Sequence, residues 1–159
     1  MELSLSSTHQ KAFAMGAVAG MRAMTAPAIL SNHFIDSPSL GLAGSNFNYL
    51  QKSGVATGMK ILAFAEMFGD KIPKVPNRIA PIELLPRVFS GALVGATIAE
   101  ANGESRITGG LLGIVGAVAS SYAFYYLRKK LGKATGLPDA ALALAEDALA
   151  VKLGTTILR

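Results

Sequence analysis

Apolar and small residues run in long stretches along this chain, with charges gathered in short clusters between them. Five stretches stand out. Ala12–Leu30 carries only Arg22. About Val55–Phe68 holds Lys60 and Glu66. About Val88–Ala101 ends on Glu100. Ile107–Leu127 carries no charge, and about Ala140–Leu158 holds Glu146, Asp147 and Lys152. About 20 apolar residues in a helix cross a hydrocarbon layer of about 30 Å. Lipid offers an open backbone no partner, so such segments are helical. The pattern predicts an all-α polytopic transmembrane bundle of about five membrane segments. It forms a single domain over residues 1–159, and the shorter segments span incompletely or re-enter.

Glycine spacing sharpens this reading. Gly16/Gly20, Gly54/Gly58, Gly91/Gly95 and Gly109/Gly113 fall four apart in apolar or small-residue stretches; Gly132/Gly136 repeats the spacing in a polar connection. Two glycines one turn apart leave a flat stripe on a helix, and in lipid such stripes let backbones approach closely. These positions are expected to pack helices together and to support a homo-oligomer.

Composition narrows the chemistry. The chain is 51% hydrophobic and 16% charged, far from the usual balance of a soluble domain. It has no cysteine, so disulfides and thiolate chemistry are excluded. His9 and His33 are far apart and lack ligand spacing, so both read as solvated polar residues and no metal or other cofactor is expected. No histidine is placed to activate a serine at depth. No glycine motif of the nucleotide-binding kind occurs. The N-terminal residues lack a basic leader, so the first apolar stretch is expected to stay as an anchor.

The net charge of +5 is explained by threading rather than by nucleic acid. Basic residues gather in the connections 69–87 and 128–139, the latter with Arg128, Lys129, Lys130 and Lys133 following Tyr122, Tyr125 and Tyr126. A five-span chain places both connections on one side, which the positive-inside rule makes cytoplasmic. The N-terminus is then inside and the C-terminus outside. The four prolines of Asp70–Arg87 predict an extended crossing. Ser31–Lys52 is expected to be an outside loop with a short interfacial helix.

Charges inside apolar stretches are costly, about 2.5–3.5 kcal/mol at mid-depth on insertion scales, so they face the interior and seek partners. Arg22 is expected to pair with Glu66, Glu146 or Asp147, while Glu66 and Asp70 share a helix face. A weak repeat links Leu62–Glu66 to Leu142–Glu146. In a five-span threading the two Glu-bearing helices run oppositely, but the glycine helices before them run the same way. Neither a parallel nor an inverted repeat fits both.

Gly16, Gly20, Met21, Arg22 and Pro27, then Asp70-Lys71-Ile72-Pro73 with Pro76 and Arg78, then Arg87 with Ser90-Gly91-Ala92, then Gly113 and Gly116-Ala117, and finally Pro138-Asp139 with Glu146-Asp147-Ala148, follow in an order that resembles one family. It is a family of small bacterial multi-pass membrane proteins known only as a domain of unknown function. The resemblance spans Phe13 to about Gly154. It implies an integral protein of the cell envelope, with Arg22, Asp70, Lys71, Arg78, Arg87, Glu146 and Asp147 as its signature polar positions.

The expected function is transporter- or channel-like passage of an ion or small solute through a polar site inside the bundle. Arg22, Glu66, Asp70, Lys71, Arg78, Arg87, Glu146 and Asp147 are the candidate residues. The expected setting is the bacterial cytoplasmic membrane, with the lipid bilayer as partner and no nucleic acid. The alternative is a membrane scaffold whose buried charges are structural; a lipid-modifying enzyme is a weaker third reading.

Overall fold

Proline and glycine placement decides where each helix starts, stops and touches its neighbours. The structure, a computed structural model, describes residues 6–69 and 79–159. Asp70, Lys71 and Arg78, with Pro73 and Pro76, lie outside the described residues. Among the described residues the chain is all-helical: α1 (Ser7–Met21), α2 (Thr25–Asp36), two 3-10 turns (Leu40–Leu42 and Asn46–Gln51), α3 (Ser53–Gly69), α4 (Pro81–Ala101), α5 (Arg106–Thr135) and α6 (Asp139–Leu158). Two of them, α4 and α5, are long and apolar enough to cross a membrane, fewer than the five segments expected.

The first expected span, 12–30, is not one helix. Pro27 has no amide to give the carbonyl four residues back, and its ring clashes there. That carbonyl belongs to Ala23, and the helix parts just before it, with Arg22 extended at φ −144° and ψ 115°. Within the first turn of α2, Pro27 costs nothing, because amides there lack helical partners anyway.

Contacts show that α2 then turns back. Ser6, the cap of α1, donates to Glu104 at 2.8 Å, and Ser39, just beyond α2, donates to the Ala101 carbonyl at 3.0 Å. The outer ends of α1 and α2 therefore both meet the connection between α4 and α5. Gly154 on α6 faces Val18 and Ile29 together, one from each leg. The pair is a helical hairpin with its tip at Arg22–Met24.

Glycines fix the core of the bundle. Gly16 lies on the backbone of Gly113, and Gly20 on Ala117 and Ser120, so α1 and α5 run in the same direction. Gly91 meets Gly113 and Gly95 meets Gly109, so α4 runs against them. A Cβ at any of these glycines would overlap neighbouring backbone. Gly113 serves both interfaces. Gly54 and Gly58 differ: among the described residues nothing in the chain lies near them, so they form no helix contact within the chain.

Two further expectations are corrected. The connection to α4 is shorter than 69–87, because Pro81 starts α4 at a position where a missing amide is harmless. Pro86 sits inside the helix, at the loss of one bond to the Ile82 carbonyl. The threading also changes. The Ser6–Glu104 contact puts the N-terminal end with the connection 102–105, not with 128–139. Residues 128–135 of that expected connection belong to α5, and the helix from Arg106 to Arg128 separates the two regions by about 33 Å. The hairpin is the cause, since α1 and α2 use one stretch to go in and out. With this threading α1 and α3 leave the Glu104 end, while α4 and α6 leave the Arg128 end. The glycine helices α1 and α4 thus run oppositely, as do the Glu-bearing helices α3 and α6. The halves still differ in packing: α4 lies along α5 far more extensively than α1 along α2.

Candidate functional site

A broken helix leaves orphan backbone groups at its break, and each must find a partner. At the hairpin tip those partners come from three helices. The Ala23 carbonyl accepts a hydrogen bond from the Ser90 hydroxyl of α4. Ser120 and Ser121 of α5 donate to the carbonyls of Ala17 and Gly20, at 2.6 and 3.0 Å. The amides of Ala23 and Met24, at the entry to α2, donate to Glu66 of α3, one to each carboxylate oxygen, at 2.9 and 2.8 Å. The negative carboxylate sits where the α2 dipole is positive.

Arg22 completes the tip. Its side chain is fully buried, 0% exposed, and its Nε and Nη2 both reach Oδ1 of Asp147 on α6 at 2.5 Å. Burying these two charges is expensive, and their direct contact offsets it. The tip lies level with Ser120, about 21 Å along α5 from Arg106.

Glu146, beside Asp147, is also buried but faces the other way along α6. Its carboxylate lies 3.8 Å from Nη1 of Arg128. Arg128 grips Asp139 with both arms, Nε to Oδ1 and Nη2 to Oδ2, each at 2.6 Å. This fork joins the end of α5 to the start of α6. Arg87 is buried on α4 one turn before Ser90; it binds Glu83 through its carbonyl and, at 3.2 Å, its carboxylate. Among the described residues no group of three or more metal-ligating side chains converges.

The candidates therefore separate. Arg22, Glu66 and Asp147 meet at one point. Glu146 and Arg87 stand near it with partners of their own. Several residues at the tip carry no charge and were not among the candidates: Thr25, Ser120 and Ser121, with Ser90 named only within the motif order. The signal for Ser90's partner was present, because Pro27 orphans Ala23 by simple counting.

Residues 11–158 match the model of a family described as a domain of unknown function (DUF4126). The chain belongs to that family. No curated protein and no solved structure matches it. The match takes in every helix described above, and with it the hairpin tip, Glu66 and the Arg22–Asp147 pair.

At the Glu104 end a second polar group forms. His9 Nε2 lies 2.8 Å from the Glu104 carboxylate and His9 Nδ1 lies 3.1 Å from the Ser6 hydroxyl. His9 is thus tied into the fold rather than solvated, and Ser6 also caps α1. Outside the long helices, partial burial raises the Tyr49 hydroxyl from its ordinary 10.0, which keeps it neutral.

Proposed function

We propose that this chain is an integral membrane protein that passes an ion or small solute through the polar centre of its bundle. Supporting this is an inverted distribution of residues. Phe89 is 71% exposed, Ile107 70% and Phe64 64%, while Arg22 is 0% exposed. Exposed apolar side chains on α3, α4, α5 and α6 suit acyl chains, whereas water would penalise so much apolar surface. Charges turned inward are the usual mark of a functional site within a membrane.

The hairpin tip makes passage the leading reading. Transporter folds place their sites near mid-bilayer, at helices broken so that backbone groups face the site, often between halves threaded in opposite senses. The α1–α2 hairpin, its entry amides and the opposed directions of α1–α3 and α4–α6 follow that plan. The basic residues Arg128, Lys129, Lys130 and Lys133 make their end cytoplasmic. Both termini then lie outside, in the bacterial cytoplasmic membrane. A homo-oligomer would use the outward-facing Gly54/Gly58 stripe of α3.

The direct Arg22–Asp147 contact favours a second reading, a scaffold whose charges only fix packing. Reconstitution separates the two. Liposomes holding the wild-type protein should pass ions, protons or small solutes, and Glu146→Gln or Asp147→Asn should reduce that passage. Absence of flux across a broad solute panel leaves the scaffold.

A further inference from the structure

We propose that the entry to α2 is a binding site for a small carboxylate ion, which Glu66 fills from within the chain. The inference rests on the transport reading and names the solute class of that site. Two amides, of Ala23 and Met24, each hold a different oxygen of one carboxylate, at 2.9 and 2.8 Å. Donors spaced in this way suit a carboxylate, with two oxygens on one carbon. They do not suit a metal ion, which needs oxygen or nitrogen ligands. The Glu66 carboxylate that fills this place carries one charge, whereas a phosphate dianion would bring two.

An independent observation marks the same place. Thr25, the first residue of α2, is 2% exposed, and its hydroxyl has no hydrogen-bond partner among the described residues. In a helix the Cα–Cβ bond tilts toward the N-terminus, so the Thr25 side chain sets out toward the end where Glu66 holds the two amides. Buried hydroxyls are normally satisfied, and an orphan calls for an explanation. A free carboxylate is not tethered to α3 and can settle where it meets the two amides and Thr25 together.

Charge and packing agree. A monovalent carboxylate replaces the Glu66 carboxylate without changing the charge at the entry of α2. Glu66 rides on the helix best able to withdraw it. Only Ala56 and Ala63 are buried on α3, and its main packing is against α2 and the 3-10 turn at Asn46–Gln51. Withdrawal of α3 uncovers the amides without disturbing the glycine-packed core of α1, α4 and α5.

The test uses the full chain in detergent micelles and acetate as the probe. Glu66→Ala vacates the amides. Acetate should then raise the melting temperature saturably, beyond sodium chloride at equal ionic strength, while the wild type responds far less. Adding Thr25→Val, which keeps the shape and removes the hydroxyl, should weaken apparent acetate affinity about fivefold or more. If Glu66→Ala fails to fold, Glu66→Gln takes its place, with binding read from line broadening of labelled formate. The inference is overturned if the vacated variant responds to acetate no more than the wild type does. It is equally overturned if chloride matches acetate, or if Thr25→Val leaves affinity unchanged. Binding in micelles needs no flux. Saturable acetate binding without flux in liposomes would end the transport reading and keep the site; flux of other solutes without acetate binding would end the site alone.

Discussion

Pro27 and Ser90 share one carbonyl: the oxygen of Ala23, which Pro27 cannot serve, takes its hydrogen bond from Ser90. One helix is broken by its own proline, and another helix supplies the missing donor. The hairpin is therefore written into two positions on different helices. Ser90→Ala should leave a buried carbonyl unsatisfied and cost about 1–3 kcal/mol. Denaturant titration in detergent, with Ser90→Thr as the variant that keeps the hydroxyl, measures it.

The Arg22–Asp147 pair should behave asymmetrically. Removing one partner, as in Arg22→Met or Asp147→Leu, breaks a buried ion pair and should cost about 3–5 kcal/mol. Removing both should cost clearly less than the sum. A double-mutant cycle on unfolding free energy reads the coupling; additive losses would mean that the two charges do not depend on each other.

Glycine positions should divide by what they touch. A Cβ at Gly113 would overlap the Gly91 carbonyl, so Gly113→Ala must push α4 and α5 apart. It should lower the melting temperature markedly. Gly54→Ala meets nothing in the chain. It should leave the monomer's stability unchanged or raise it by about 0.5–1 kcal/mol through helix propensity. Loss of oligomer in the Gly54 variant, read by crosslinking, would place a second copy on α3.

Much of this was legible in the residues. Arg22, Glu66 and Asp147 announced themselves because charge in an apolar stretch is costly and must be paired. Helix α5 announced itself by its uncharged run, Ile107–Leu127, whereas α4 was expected only over about Val88–Ala101 and begins at Pro81. The hairpin did not announce itself, because the 12–30 stretch is continuously apolar in composition, and Pro27 registers only when its effect on Ala23 is followed. Without the hairpin the N-terminal end is expected with the connection 128–139, whereas the Ser6–Glu104 contact puts it with 102–105. The parts played by Ser90, Ser120, Ser121 and Thr25 stayed hidden for a different reason: a hydroxyl in an apolar helix is unremarkable until the carbonyl opposite it is known. The Glu104 cluster joins residues 98 apart in sequence, and no local pattern links them.

The threading through a bilayer is the claim on which the rest stands, and the lack of cysteine in the chain makes it directly measurable. Single cysteines replacing Ser6, Lys130 and Arg159 can be labelled with a membrane-impermeant maleimide in intact bacterial cells. Ser6→Cys and Arg159→Cys should label from outside, and Lys130→Cys only after the membrane is opened. Labelling of Ser6→Cys and Lys130→Cys from the same side, or recovery of the protein in the soluble fraction, would contradict the account.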